Sequence, residues 1–256
     1  MIRFFRRIRQ SLLTENKIGN YILYALGEIA LVVIGILIAI AINNLNEQRI
    51  TQKKEKIYLS GLKEEFQINK AKLQELISIN KSIFEAAKKL VEYTSNEAIT
   101  PSEQQLSDLL YQTFAMDLAY NPNNSLLQEM INSGSLKDIS NNKLRKRLTN
   151  WLATLDDIAK QEADLAKQRD KVLDLSSSDE YSIRTILDLI GISKESFGLT
   201  VKTEHSSNLS LLNSKAFENQ LLLFLLTTQS TDQAHYIPLM QELNAILKSI
   251  DEALKE

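Results

Sequence analysis

One apolar run near the amino terminus constrains this sequence more than any other feature. Fourteen uncharged residues follow one another from Ile29 to Ile42, and the stretch from Gly19 to Ile42 holds a single charge, at Glu28. At 1.5 Å per residue, a helix over this stretch extends about 36 Å, enough to cross a hydrocarbon core of roughly 30 Å. The run predicts one transmembrane helix over residues 19–42.

Glu28 does not rule out this helix. Residues 22–42 contain thirteen Ile, Leu or Val side chains, which together favour insertion by roughly 6 kcal/mol. One acid costs at most about 3 kcal/mol, and less near the edge of the span. The carboxylate either reaches back to the membrane interface or pairs with another protein inside the bilayer.

A basic amphipathic segment, residues 1–18, precedes the span. Four of its apolar side chains fall on one helical face: Ile2, Phe5, Ile8 and Leu12. With its four arginines, this pattern suits an anionic membrane surface. Five Lys or Arg precede the span and four follow it closely, so the positive-inside rule favours a cytoplasmic amino terminus by a thin margin. The body is then expected outside the cytoplasm.

One side of the predicted span carries an acid and two small residues. The side chains of Glu28, Val32, Gly35 and Ala39 are spaced four, three and four residues apart, which places them on one helix face. Gly35 and Ala39 form a small-xxx-small pair that lets two helices approach closely. This face predicts association with a second copy or another membrane helix; otherwise the helix is only an anchor.

The rest of the chain is expected to be helical. Seven Gly and three Pro in 256 residues are too few for the turns of a β-sandwich or barrel. Two series of positions spaced seven apart predict a helix seam of coiled-coil type. The seam positions are Leu59, Phe66, Leu73, Asn80 and Ala87, with Leu62, Asn69, Leu76, Ile83 and Leu90. Its two asparagines either fix the register of a coiled coil or face loops or water.

Capping and turn signals predict the helices that follow. Thr100 as cap, Pro101 in the first turn and Glu103 closing a capping box start a helix that ends near Leu118. After a break at residues 121–124, the remaining signals predict five further segments. They are a short helix over 126–132 stopped by Gly134, a long helix from a cap at Ser140 or Asn141 to about 175, a short helix over 179–190, an irregular connector over 191–212, and a last element capped by Asn213.

These elements predict an all-α fold, in which one amino-terminal transmembrane helix precedes a helical bundle over residues 43–256. The first helix of the bundle is expected to continue the membrane helix, with a break around Asn43 and Asn44. In the last element, Pro238 either kinks one helix or separates two.

Three stretches resemble one bacterial family. They are MIRFFRRIRQSLLTENKIGNYILYALGEIALVVIGILIAIAINNLNEQR at the start, INSGSLKDISNNKLRKRLTNWL at 131–152 and, more weakly, AFENQLLLFL at 216–225. The family consists of single-pass membrane proteins and is known only as a domain of unknown function, number six thousand and ninety. This chain has Ala41 and Leu45 where such proteins often carry a glutamine and a tryptophan. The resemblance implies an inner-membrane anchor with a helical body, which the expected orientation places in the periplasm, and it supplies no catalytic residues.

Residues that carry chemistry are sparse. The chain has no cysteine, and neither His205 nor His235 has a His or Glu three or four residues later, so no metal or cofactor site is predicted. The sequence has no nucleophile elbow and no glycine-rich phosphate loop, so no catalytic residue and no enzyme activity are predicted. Trp151 is expected in the core.

Charged groups in the body are expected on solvated faces, including the pairs Glu64-Glu65 and Asp156-Asp157. A basic group in the long helix has a second interpretation, as a site for a phosphate or a lipid head group. It comprises Lys143, Arg145, Lys146 and Arg147.

The distribution of charge argues against nucleic acid as a partner, because residues 1–56 carry +5 and residues 57–256 carry −7. The predicted function is a membrane-anchored interaction or sensing module, bound to the bilayer and to a protein partner or second copy. The alternatives are a structural tether or assembly factor in an envelope complex, and an enzyme with a site between bundle helices. A pocket of several hundred cubic ångströms would favour ligand sensing; an exposed apolar patch would favour a protein partner.

Overall fold

The structure is a computed structural model that describes residues 18–95, 100–175 and 180–255. Helices account for 83% of it, and the described residues contain no β-strand. The all-α prediction is therefore confirmed. Residues 1–17, which carry the predicted amphipathic segment, lie outside the described residues.

The first helix, α1, runs from Ile18 to Ser95. The predicted break at Asn43 and Asn44 is wrong, because the helix continues through both residues. The side-chain amide of Asn43 donates to Glu47 Oε1 at 2.9 Å, so this asparagine bonds along the helix surface and leaves the helical backbone intact.

The chain divides into two units, residues 1–57 and 58–256. In the first unit, the large apolar side chains of α1 between Ile22 and Ile57 are 46% to 74% exposed. An 18-residue window of this helix has a mean hydropathy of 2.8, and none of it is buried inside the protein. The helix is long and apolar enough to cross a membrane, as the sequence predicts.

In the second unit, one face of α1 is buried. All ten predicted seam positions, from Leu59 to Leu90, are at most 9% exposed. Residues spaced seven apart lie on one side of a helix, so the spacing alone is enough to identify the buried face.

The two asparagines of the seam bond the backbone of other segments in the same body. Asn69 Nδ2 donates to the carbonyl of Asn123 at 2.7 Å, and Asn69 Oδ1 accepts the N–H of Asn123 at 2.7 Å. Asn80 Nδ2 donates to the carbonyl of Thr228 at 3.2 Å. Asn69 thus faces a loop, which was one of the two expectations for these residues.

Other helices of the second unit follow α1 in the described chain, and all of them except Ile192–Glu195 share one hydrophobic core with it. They are α2 (Glu103–Phe114), α3 (Ser125–Asn132), α4 (Asn142–Leu175), α5 (Ile183–Leu189), α6 (Ile192–Glu195), α7 (Lys215–Ser230) and α8 (Ile237–Ala253). Short 3-10 turns cover Ser135–Asp138 and Leu209–Asn213, and a π-helical segment, Thr231–Tyr236, joins α7 to α8.

The cap of α2 differs from the prediction. The hydroxyl of Ser102 accepts the N–H of Gln105 at 3.2 Å, and Gln105 Oε1 accepts the N–H of Ser102 at 2.9 Å. Ser102 and Gln105 therefore form the capping box that was expected from Thr100 and Glu103. Both pairs have the required spacing, but the carboxylate of Glu103 is engaged elsewhere, by the N–H of Asn208 at 2.9 Å.

Two other helix starts are fixed by neighbouring polar side chains. Asn141 Oδ1 accepts the N–H groups of Lys143 and Leu144 at 3.0 Å, so Asn141 rather than Ser140 caps α4. The cap of α7 is Ser214, whose hydroxyl accepts the N–H of Phe217 at 3.3 Å. That position is one residue beyond the predicted cap, Asn213.

The segment between α2 and α3 lacks regular secondary structure and is held by side chains of α4. Glu162 Oε1 accepts the N–H of Tyr120 at 2.9 Å, and Trp151 Nε1 donates to Asn124 Oδ1 at 2.9 Å. Arg169 Nε donates to the carbonyl of Phe114 at 2.7 Å. α2 ends at Phe114, whose carbonyl takes part in one of these bonds, four residues before the predicted end.

Glu65 contradicts the prediction that both acids of the Glu64-Glu65 pair are solvated. Glu64 is exposed, but Glu65 is only 5% exposed. Its carboxylate accepts the N–H of Leu126 at 2.8 Å and that of Leu127 at 3.3 Å. An anion at a helix amino terminus satisfies free N–H groups and complements the helix dipole, so a residue of α1 caps α3.

We predict that Asn69→Leu lowers the free energy of unfolding by about 1–3 kcal/mol, because it removes two hydrogen bonds and leaves the Asn123 backbone groups unpaired. In a seam that worked as a coiled coil, leucine would instead add apolar burial and stabilise the chain. Denaturant unfolding of the full chain in detergent micelles, followed by circular dichroism, measures the change. Gln67→Leu, at an exposed neighbouring position, is the matched control. An Asn69→Leu protein as stable as its parent would contradict the assignment.

Candidate functional site: a groove between α4 and α8

A groove with a volume of about 910 Å³ lies between α4 and the stretch formed by the π-helical segment and α8. We call it the α4–α8 groove. Its volume lies within the range of small-molecule sites, about 300–1,000 Å³. Its floor includes Ile158 and Leu239, which belong to the hydrophobic core, and polar side chains line both of its walls.

The two walls run in opposite directions. Arg147, near the start of α4, forms an ion pair with Glu242 of α8. Farther along α4, Gln161 Nε2 donates to the hydroxyl of Thr231, at the start of the π-helical segment, at 3.0 Å. The groove therefore has one end near the start of α4 and another near the start of the π-helical segment.

The end near the start of α4 is basic. Of the four residues in the predicted basic group, Lys143, Lys146 and Arg147 line the groove. Arg145 does not, because its guanidinium donates to the carbonyl of Lys137 at 3.3 Å and to Asn142. Within the described part of the chain, the ammonium groups of Lys143 and Lys146 make no hydrogen bond or ion pair.

These cations lie where the helix itself is electropositive. The first turns of an α-helix carry partial positive charge, and a cation there is unfavourable by about 0.3–1 kcal/mol at an exposed site. The first turn of α4 contains no acidic residue. An anion bound beside Lys143 and Lys146 would offset both the repulsion between these side chains and their interaction with the helix dipole.

The opposite end of the groove carries little net charge, because its acidic side chains pair with lysines. Asp157 pairs with Lys160 at 3.1 Å, and Asp164 pairs with Lys167 at 3.0 Å. Half-buried His235 also lines the groove. Among the described residues, no group of three or more His, Cys, Asp or Glu side chains is placed to hold a metal ion.

The π-helical segment shapes the second wall. Pro238 lies in the first turn of α8, and its missing N–H removes one α-helical hydrogen bond from the preceding turn. The helical path nevertheless continues from α7 to α8, so Pro238 does not separate two independent helices. Single-turn π-helical segments are frequent at functional sites, and this one contributes His235 to the groove.

A buried hydrogen bond fixes this segment to α4. The hydroxyl of Tyr236 donates to Glu162 Oε1 at 2.7 Å. Burial raises the pKa of Glu162, and the hydrogen bonds from Tyr236 and the Tyr120 N–H only partly counter that effect. Burial also raises the pKa of Tyr236, as does the neighbouring Glu162 carboxylate. Neither residue was a sequence-based candidate, because the two lie 74 positions apart.

A second buried carboxylate, Asp188, fastens the connector after α5. Arg184 Nε donates to Asp188 Oδ1 at 2.7 Å, the N–H of Lys202 donates to Oδ2 at 3.1 Å, and His205 Nε2 lies 3.5 Å from Oδ2. Burial alone would raise the pKa of Asp188, but the Ser193 side chain, the Lys202 N–H and the Arg184 guanidinium outweigh it and lower the pKa to about 2. The cluster explains how a connector expected to be irregular is held in place.

The predicted association face lies on α1 in the first unit. Val32 is 57% exposed, Gly35 and Ala39 are exposed, and a side chain at Gly35 would meet no atom within 4 Å. Glu28 lies on the same helix at the predicted spacing. Association through this face stays a prediction.

An apolar patch lies on α7. Leu222, Leu223 and Leu226 are between 43% and 63% exposed, and their spacings of three and four residues make them neighbours on the helix surface. Such a patch suits contact with another protein.

A family of unknown function, DUF6090, matches residues 28–195, more than half of the chain. This family is the one that the sequence resembles. No curated protein and no solved structure matches the chain.

The raised pKa of Glu162 predicts a specific pH dependence. A carboxyl group whose pKa is higher in the folded chain stabilises the fold most when it is protonated, and this contribution is lost as the pH rises through the folded-state pKa. Glu162→Gln keeps an acceptor for Tyr236 and Tyr120 without the buried charge. We expect a higher melting temperature than that of the parent at neutral pH, and a difference that shrinks as the pH falls toward about 4.3.

Melting curves of the full chain in detergent over this pH range measure the effect. Asp156→Asn, an exposed acid on the same helix, is the control and should not change the pH dependence. A Glu162→Gln protein that melts below its parent at neutral pH would show that the ionised carboxylate stabilises the fold.

Proposed function

This chain belongs to the family of unknown function DUF6090, and we propose that it is a membrane-anchored module that senses an anionic ligand. The observation that carries the proposal is the basic end of the α4–α8 groove. There, Lys143, Lys146 and Arg147 line a cavity of about 910 Å³, and the two ammonium groups make no hydrogen bond or ion pair with the described residues. A cavity of this size was the feature expected of a sensing module.

The chemistry of the groove favours a ligand that carries a phosphate or carboxylate group. Lys143 and Lys146 supply charge, and Arg147 supplies a planar set of N–H donors that suits oxyanions. Its partner, Glu242, neutralises one of the three cations and holds the guanidinium beside the groove. The apolar floor would accept a less polar part of the same ligand.

The proposed anchor is the apolar part of α1. Its branched side chains are exposed along the whole stretch, and lipid is the surrounding in which such a surface is stable. We place the amino terminus in the cytoplasm and the body in the periplasm of a bacterial inner membrane. The excess of basic residues before the span and the family resemblance support this orientation.

The proposed activity is binding rather than catalysis. The bound state would reach a partner through the membrane helix or through the body. The face formed by Glu28, Val32, Gly35 and Ala39 is the proposed route through the membrane, by contact with a second copy or another helix.

A second candidate function is a structural tether or assembly factor in an envelope complex. The exposed patch of Leu222, Leu223 and Leu226 on α7 favours it, because a protein partner would bury this apolar surface. In that case the groove would contribute little to binding.

We predict that Lys143→Gln combined with Lys146→Gln weakens the binding of pyrophosphate to the full chain about tenfold. An exposed pair of opposite charges contributes about 0.2–1 kcal/mol, so losing two costs up to about 2 kcal/mol, and 1.4 kcal/mol corresponds to a factor of ten. Titration calorimetry in neutral, phosphate-free detergent measures the affinity.

Lys88→Gln combined with Lys89→Gln is the matched control, because it removes the same charge from exposed positions of α1 outside the groove. Equal losses in the two double variants would mean that only net charge attracts the anion. If pyrophosphate does not bind the parent protein, this result contradicts the proposed anion site.

The proposed orientation has its own test. A periplasmic phosphatase fused after Glu256 should be active, because this enzyme folds outside the cytoplasm. A fluorescent protein fused at the same position should stay dark, because it folds inside the cytoplasm. Both fusions are expressed in bacteria and compared at equal protein levels. A bright fluorescent fusion with an inactive phosphatase would place the body in the cytoplasm.

A further inference from the structure

The basic end of the α4–α8 groove also contains an acid. Glu242 of α8 lines the groove beside Arg147, and its side chain is 33% exposed. Its Oε2 accepts a hydrogen bond from Arg147 Nη1, whereas its Oε1 accepts none from the described residues. An anion that approaches the cations of this end therefore also meets a partly exposed carboxylate.

Asn150 is the next polar side chain of α4 along the same wall. It lies three residues after Arg147 and four after Lys146, so it neighbours both on the helix surface. Asn150 is exposed and lines the groove, and its side-chain amide makes no hydrogen bond within the described part of the chain. This amide brings a C=O acceptor and an NH₂ donor to the groove beside the cations.

The side chains of Glu242 and Asn150 require more of a ligand than negative charge. The anionic group of a phosphate ester or a carboxylate offers acceptors only, so it cannot bond to Glu242 and is repelled by it. A hydroxyl group can donate to a carboxylate, and it can both donate to and accept from an amide. Hydroxyl groups close to the anionic group of the ligand would therefore satisfy Glu242 and Asn150 while the cations hold the anion.

We propose that the α4–α8 groove binds a phosphate or carboxylate group whose carbon chain carries hydroxyl groups, as in a sugar phosphate or a sugar acid. The inference rests on the anion-binding function proposed above and narrows its ligand to a hydroxylated class. Thr154, one turn beyond Asn150, also lines the groove. The wall from Lys146 to Thr154 is about 12 Å long, which is enough for a short hydroxylated chain and its anionic group.

The test compares ligands that differ only in their hydroxyl groups. Glycerol 3-phosphate and propyl phosphate have carbon chains of equal length, and both are dianions at about pH 8, well above the second phosphate pKa of roughly 6. Titration calorimetry of the full chain in phosphate-free detergent, at constant ionic strength, measures both affinities. We expect glycerol 3-phosphate to bind about tenfold more tightly, because each of its two hydroxyl groups adds a hydrogen bond.

Glycerate and propionate form a second pair, in which the anionic group is a carboxylate. Tighter binding of the hydroxylated member in either pair supports the proposal, and the pair that shows it identifies the anionic group. Equal affinities within both pairs, or binding of pyrophosphate alone, would overturn the proposal and leave the anion-binding function standing. If neither these compounds nor pyrophosphate binds, both proposals are wrong.

Two substitutions locate the effect. Asn150→Leu removes the amide at similar size, and should reduce the preference for glycerol 3-phosphate about threefold without changing the affinity for propyl phosphate. Glu242→Gln can still accept a hydrogen bond from Arg147, but it should bind propyl phosphate more tightly than the parent does, because it no longer repels the anion. The preference for glycerol 3-phosphate should therefore narrow in this variant too.

Asn244→Leu is the matched control, because Asn244 is exposed on α8 and does not line the groove. This variant should keep the full preference for glycerol 3-phosphate. Melting curves without ligand show whether each variant folds. A full preference in both Asn150→Leu and Glu242→Gln would overturn the assignment of the hydroxyl groups to this part of the groove.

Discussion

Three buried polar side chains of α1 determine where other segments of the body lie. Apolar contacts are tolerant of small shifts, whereas a buried amide or carboxylate must find a partner of matching chemistry. Asn69 bonds the backbone of the loop before α3, Glu65 caps α3, and Asn80 bonds the end of α7. Three positions along one helix thus fix three other segments.

The position of α4 follows from the same face of α1. The rings of Phe66 and Trp151 lie 5.1 Å apart, and Trp151 also bonds the loop that Asn69 holds. Once α4 is in place, Glu162 fixes the π-helical segment through Tyr236. The two walls of the α4–α8 groove are therefore set by buried bonds, while the lysines that line it contribute none of them.

Sequence periodicity was enough to predict the buried face of a helix where that face does not depend on which other segment packs against it. The seam of α1 follows from spacing alone, because any partner would bury the same side of the helix. The cap of α2 was misassigned because two pairs of residues had the same spacing, and the choice depended on Asn208, far along the chain. Glu65 was wrongly predicted to be solvated, because the backbone N–H groups that it accepts lie 61 and 62 residues away in the sequence.

The candidate site was predictable only in part. The basic group was visible as a run of four cations, and a phosphate site was one of its two interpretations. Which three of the four line a groove depends on α8, whose position no local pattern specifies.

The first part of α1 is long and apolar enough to cross a membrane, whereas its second part packs in the protein body. The chain has no cysteine, so single spin-labelled cysteines can be introduced at Ile36 and at Ala71, both exposed in the structure. In bilayers, we predict that oxygen relaxes the label at Ile36 more strongly than a water-soluble nickel chelate does, and that the order is reversed at Ala71. Access of the nickel chelate to Ile36 equal to its access to Ala71 would contradict the account.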